Sequence, residues 1–138
     1  MTHVIDTSVV LKWVVKEDGS AAARAWVGKA LTAPDLIKVE LANALWKKVL
    51  RREIEPRQAL RAFLEAPEGV TMVPTLPLME RALPMAFELV HPVYDCVFLA
   101  LADQLQVRLL TADKRLQKAC AGTRFESLLQ PFQGNSDD

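Results

Sequence analysis

The chain has 138 residues, 17 Lys and Arg against 17 Asp and Glu, a formal net charge of zero and an apolar fraction of 51%. A core of that size removes roughly two-thirds of the unfolded surface from water, which excludes a small scaffold stapled by disulfides or a structural metal. The absence of excess Lys and Arg excludes a polyanion-coating protein but not an enzyme that cuts nucleic acid. Cys96 and Cys120 fall in helical segments and, with no export signal in the first residues, point to a reducing cytoplasm. No run approaches the roughly 18 apolar residues of a membrane span, so no membrane partner is expected.

Residues 2–6 (THVID) read as a short strand closed by an acid, and Thr7 and Ser8 offer capping hydroxyls to a following helix. VVLKWVV at 9–15 fits strand or short helix. Glu17, Asp18, Gly19 and Ser20 stop it, and Ser20 is placed to cap an alanine-rich helix over 21–31. A brief strand at 32–34 precedes a strongly helical stretch over 35–52. Its apolar face is read as Val39, Ala42, Trp46, Val49 and Leu50, with Lys47, Lys48, Arg51 and Arg52 gathered at its end.

Pro56 suits the first turn of a helix that Pro67 and Gly69 end, and VTMVP at 70–74 is a strand. Pro77 opens a helix that Pro84 is expected to kink or split. His3 and His91 read as ordinary residues beside a strand and a helix start, and after His91 and Pro92 the segment VYDCVFLALADQL is apolar almost all round, as in a helix buried on most faces. VRLLT at 107–111 is a strand, 113–121 a short helix, 124–128 a last strand, and 133–138 a frayed tail after a single domain over 1–132. Strands interleaved with helices imply an α/β three-layer sandwich, with a central mostly parallel sheet of about four to five strands and helices on both faces. Ligands of such sheets gather at the carboxyl ends of the strands.

Asp6 and Asp113 stand at carboxyl ends of strands, while Asp95 and Glu40 lie in the first turns of helices that begin on the same edge. Each alone has a simple explanation as a cap, a dipole partner or a solvated helix residue. Together they place several carboxylates in one small site, where like charges must take up protons or hold cations. Oxygen-only donors favour Mg²⁺ or Mn²⁺ over Zn²⁺, and no Cys or His cluster has zinc spacing. A phosphate-binding glycine loop is missing after the first strand, as are a second aspartate two residues after Asp6 and a supported nucleophile triad.

VIDTSVVLKW at 4–13, APDLIKVELANAL at 33–45, HPVYDCVFLALA at 91–102 and LLTADKRL at 109–116 resemble, in order and spacing, the motifs of PIN-domain proteins, in particular the VapC-type toxin ribonucleases. The resemblance covers essentially the whole chain. It implies an endoribonuclease in which Asp6, Asp95 and Asp113 hold Mg²⁺ or Mn²⁺ and Glu40 helps hold the ion or orients the attacking water. RNA would be cut to a 5′-phosphate and a 3′-hydroxyl. Thr7, Ser8, Asn43 and Thr111 are helpers beside those acids. Lys47, Lys48, Arg51, Arg52, Lys114, Arg115 and Lys118 are candidates to grip the RNA backbone.

The resemblance further implies a homodimer in the cytoplasm and a cognate antitoxin that docks between the N-terminal helices and inserts a basic side chain among the acids. Two other readings remain open at this point: a non-catalytic PIN-fold binding or assembly module, and a housekeeping RNA-processing nuclease without an antitoxin. Setting aside the four acids together with Asp137 and Asp138 leaves the rest of the chain with six more basic than acidic groups. The neutral total therefore conceals an acidic pocket in a cationic body.

Overall fold

Five short strands build the centre of the structure, a computed structural model that describes residues 2–132. They are β1 (His3–Ile5), β2 (Leu31–Pro34), β3 (Val70–Val73), β4 (Leu109–Leu110) and β5 (Leu129–Gln130), all paired in parallel in the order β3-β2-β1-β4-β5. Between them run α1 (Thr7–Val14), α2 (Ser20–Arg24), α3 (Leu36–Leu50), α4 (Pro56–Glu65), α5 (Met79–Leu89), α6 (Val93–Leu105) and α7 (Lys114–Cys120). The expected tail at 133–138 lies outside the described residues.

The strand order decides where a ligand can sit. From β1 the chain steps outward to β2 and β3, then returns across the sheet to place β4 on the other side of β1. Right-handed crossovers then put α1 to α4 on one face and α5 to α7 on the other, which is the expected three-layer sandwich. The direction of winding reverses between β1 and β4, and the crevice outside their carboxyl ends is the topological switch point.

Helix α6 packs under β1, β2 and β4 and is covered by α5. Its residues Cys96, Val97, Phe98, Leu99, Ala100, Leu101 and Ala102 are buried without interruption, as the all-round apolar pattern requires. No single helix among the described residues is long and apolar enough to cross a membrane.

Five sequence expectations are corrected. The helix read over 21–31 stops at Arg24, because Gly28 turns the chain at φ 86° and Leu31 is needed in the sheet opposite His3 and Val70. Ser20 does not cap it: its Oγ accepts from Glu17 N at 2.9 Å and donates to Val15 O at 3.3 Å, closing the preceding turn. On α3 the buried residues are Ile37, Leu41 and Leu45, whereas Val39, Trp46 and Leu50 are 67%, 57% and 65% exposed. The helix carries two apolar stripes, and periodicity alone does not say which one meets the core.

Helix α5 runs unbroken through Pro84. Pro84 deprives the Glu80 carbonyl of its donor, but both residues are exposed, so water can take its place. The last strand falls at Leu129–Gln130, not 124–128. Thr123 Oγ1 donates to Cys120 O at 2.6 Å and accepts from Phe125 N at 3.1 Å, and the Phe125 ring is buried, which holds that stretch in a turn.

Candidate active site

Asp6 ends β1 and caps α1, its Oδ1 accepting from Ser8 N at 3.0 Å and from Ser8 Oγ. Asp113 follows β4 and caps α7, its Oδ1 accepting from Arg115 N at 2.9 Å and Leu116 N at 3.2 Å. The turns after β1 and β4 are stitched together: Ala112 N donates to Ser8 Oγ at 2.9 Å, and the fully buried Thr111 hydroxyl accepts from Asp113 N at 3.0 Å. Thr7 Oγ1 donates to Glu40 Oε1 at 2.6 Å, tying the start of α1 to the first turns of α3.

All four predicted acids line one cleft of about 600 Å³, together with Thr7, Ser8, Asn43 and Lys47 and an apolar wall that includes Leu36, Val39 and Tyr94. Asp6 is only 6% exposed. Burial pushes its carboxyl up to about 7, with the Ser8 and Thr111 hydroxyls opposing and the nearby Asp95 and Asp113 adding to the rise. Burial likewise raises Glu40 to about 7, against the Thr7 hydroxyl. Asp95 is raised by burial too, and His91 and Arg115 partly offset this. Within hydrogen-bonding reach the acids have few cationic partners, so their mutual repulsion is left to protons or to a bound cation.

His91 is the residue the sequence reading missed. It is no ordinary helix-start residue: its side chain is 7% exposed and its Nε2 meets Asp95 Oδ2 at 2.6 Å. Helix periodicity could not have flagged it, because His91 lies between α5 and α6, before the helix that carries Asp95 begins at Val93.

The proposed RNA-gripping residues separate. Lys47 lines the cleft, and Arg115 is near enough to Asp95 to favour its charge. Lys48 is withdrawn, pairing with Glu17 at 2.8 Å and Glu53 at 3.0 Å, and Glu17 also meets the buried Lys12. Arg51, Arg52 and Lys114 are exposed but do not line the cleft. Asn43 lines it without a hydrogen bond to Glu40.

The donor set suits a hard divalent cation: carboxylate oxygens only, with Asp6 deeply buried and uncompensated. Among the described residues no three His, Cys, Asp or Glu side chains surround a common point closely enough to grip an ion directly. An ion here would be held by one or two carboxylates with water completing its shell, the usual manner of Mg²⁺.

A parallel α/β sandwich with an acid-lined cleft at its switch point is the arrangement that the motifs led one to expect. Residues 3–122 match the PIN domain family, and the chain belongs to that family. It is 30% identical over 136 residues to Ribonuclease VapC3 of Pyrobaculum aerophilum, covering 95% of this chain and 100% of that one. It is 34% identical over 125 residues to Ribonuclease VapC1 of Mycobacterium tuberculosis, covering 84% and 89%.

Among solved structures, PAE2754 from Pyrobaculum aerophilum superposes with a TM-score of 0.71 at 21% identity, over 89% of this chain and 82% of that one. A toxin–antitoxin complex from Klebsiella pneumoniae gives 0.66 at 16% identity, over 89% and 93%. At those identities the two structures bear on the fold alone.

Proposed function

We propose that this chain is a metal-dependent endoribonuclease of the VapC type and the toxin half of a toxin–antitoxin pair. The observation that carries this reading is the cleft at the switch point, where four carboxylates meet with too little positive charge to balance them. Asp6, Asp95 and Asp113 would hold Mg²⁺ or Mn²⁺, one or two of them directly and the rest through water, with Glu40 beside them to hold the ion or orient a water. When bound, the ion supplies positive charge for the scissile phosphate and lowers the pKa of a coordinated water.

The rest of the work falls to the protein. Ser8 and Thr111 hold the β1 and β4 turns in register, Thr7 fixes Glu40, and Lys47 on the rim attracts the phosphate backbone. Capping does not compete with ligation at Asp6 and Asp113, because each spends one oxygen on the cap and keeps the other.

A cationic side chain from an antitoxin, entering the cleft, would satisfy the same carboxylates and shut out the ion. Homodimerisation is supported by the exposed apolar side chains Leu83, Phe87 and Val90 at the outer face of α5 and its end. A cytoplasmic location goes with an RNA substrate.

The test is RNA cleavage by the purified chain. Cleavage is expected with Mg²⁺ or Mn²⁺, none with EDTA, and none from Asp6→Asn or Asp95→Asn. Cleavage that persists in EDTA, or in both variants, would sink the metal mechanism. For the toxin role, expression should arrest growth and the neighbouring gene's product should restore it; unaffected growth would refute that role.

A further inference from the structure

We propose that Tyr94 is a stacking platform for an unpaired base next to the scissile phosphate, so that the cleft selects RNA by a nucleobase as well as by its phosphates. The inference rests on the nuclease reading above and deepens it.

The cleft is lined from two helices of different character. Helix α3 contributes Leu36, Val39, Glu40, Asn43, Ala44 and Lys47, residues spaced so that they share one face. The start of α6 contributes Tyr94 and Asp95. Asp95 therefore has an aromatic ring as its chain neighbour, and Glu40 has Val39 beside it and Leu36 one turn before it.

The fold makes little use of the ring. Tyr94 is 62% exposed and Val39 67%, although both line a concave site. Among the described residues no aromatic ring or cation stacks on Tyr94, and its hydroxyl makes no hydrogen bond. Its backbone, by contrast, is well anchored, because Tyr94 is the second residue of α6 and Cys96 to Ala102 just beyond it are buried. A flat ring with two rotatable bonds on a fixed backbone loses little entropy when a ligand covers it.

The order of groups along α3 indicates the ligand. Lys47 follows Glu40 by seven residues, roughly 10 Å along the helix, and pairs with no described acid. The wall thus runs from apolar at Leu36 and Val39, through acidic at Glu40, to basic at Lys47. A strand of RNA matches it, with a base on the apolar end and Tyr94, the scissile phosphate at the cation held by the acids, and a further phosphate at Lys47. A base inside a duplex is stacked on both faces and does not reach the ring, so the base must be unpaired.

The test begins with total RNA and the wild-type chain in Mg²⁺ or Mn²⁺, the new 5′ ends giving the sequence that is cut. The probes are a short single-stranded RNA of that sequence and copies in which one flanking nucleotide at a time is abasic. Loss of one particular base should lower wild-type kcat/KM by about tenfold, the scale of a single base–aromatic stack, and mostly through KM. Tyr94→Ala should lose a similar factor on the intact RNA and be indifferent to that abasic position, so that the two losses do not add. Tyr94→Phe, which keeps the ring, should retain the sensitivity to that position.

Abasic penalties as large in Tyr94→Ala as in the wild type at every position, or a Tyr94→Ala loss confined to kcat, would overturn the stacking role. Unchanged penalties together with lost neutralisation by the neighbouring gene's product would overturn it in favour of a protein partner at the ring. Total RNA left uncut by the wild type would instead overturn the nuclease reading, and the proposal with it.

Discussion

At the amino edge of the sheet, Thr2 Oγ1 donates to Ala30 O at 3.1 Å, His3 Nε2 meets Gln130 Oε1 at 3.2 Å, and Trp26 stands edge-on to the His3 ring at 4.8 Å. At the carboxyl edge, only a few residues along the same strands, four acids crowd one cleft and burial drives Asp6 and Glu40 up to about 7. One edge closes its polar groups on one another, while the other holds carboxylates that the protein alone leaves short of partners. On the proposed reading, the fold tolerates unfavourable electrostatics at this edge because a bound cation supplies the missing charge.

The sharpest way to break this contrast is Asp6→Asn. Removing the buried charge while keeping an acceptor for Ser8 N should cost RNA cleavage at least about a hundredfold. The same change should raise metal-free stability near pH 8 by about 1–3 kcal/mol. A variant both inactive and less stable would put Asp6 with the structural residues of the amino edge.

Next in size is the pH dependence of the metal-free protein. Asp6 and Glu40 have folded pKa values near 7, above their ordinary 3.8 and 4.5, so between these limits the folded state holds protons that the unfolded chain has lost. Their contribution to stability is fully present below about pH 4 and is lost as pH rises through about 7. Metal-free melting temperatures should therefore fall from pH 5 to pH 8, and saturating Mg²⁺ should flatten the fall. A flat metal-free profile would mean that these acids are not strained.

The smallest effect separates two adjacent lysines. Lys47→Ala should weaken RNA binding and reduce the slope of log affinity against log salt by about 1. Lys48→Ala should leave that slope alone and cost stability instead, because Lys48 is committed to Glu17 and Glu53. Equal salt slopes for both variants would contradict this division.

The four acids were legible in the sequence because each sits beside a punctuation mark: a strand end, a helix start, or Pro34 or Pro92 ahead of one. The burial of α6 was equally plain, since seven consecutive buried residues leave little amphipathic ambiguity. The core-facing side of α3 was not legible. Ile37, Leu41 and Leu45 compete with an equally apolar stripe through Val39 and Trp46, and only tertiary packing chooses. Ser20 reads as a cap by type, yet its hydroxyl closes the preceding turn. The partner of Lys48 and the role of His91 depend on contacts made after folding, the first of them with Glu17, far away in sequence.

The most direct test of the carboxyl-edge site is calorimetric titration of the metal-free protein with Mg²⁺ in two buffers of different ionisation heat. Because Asp6 and Glu40 are partly protonated near pH 7, binding should release protons there and fewer near pH 8.5. Asp6→Asn should lose most of that release. Mg²⁺ binding with no proton release near pH 7, or with the same release in Asp6→Asn, would contradict an ion held by these buried acids.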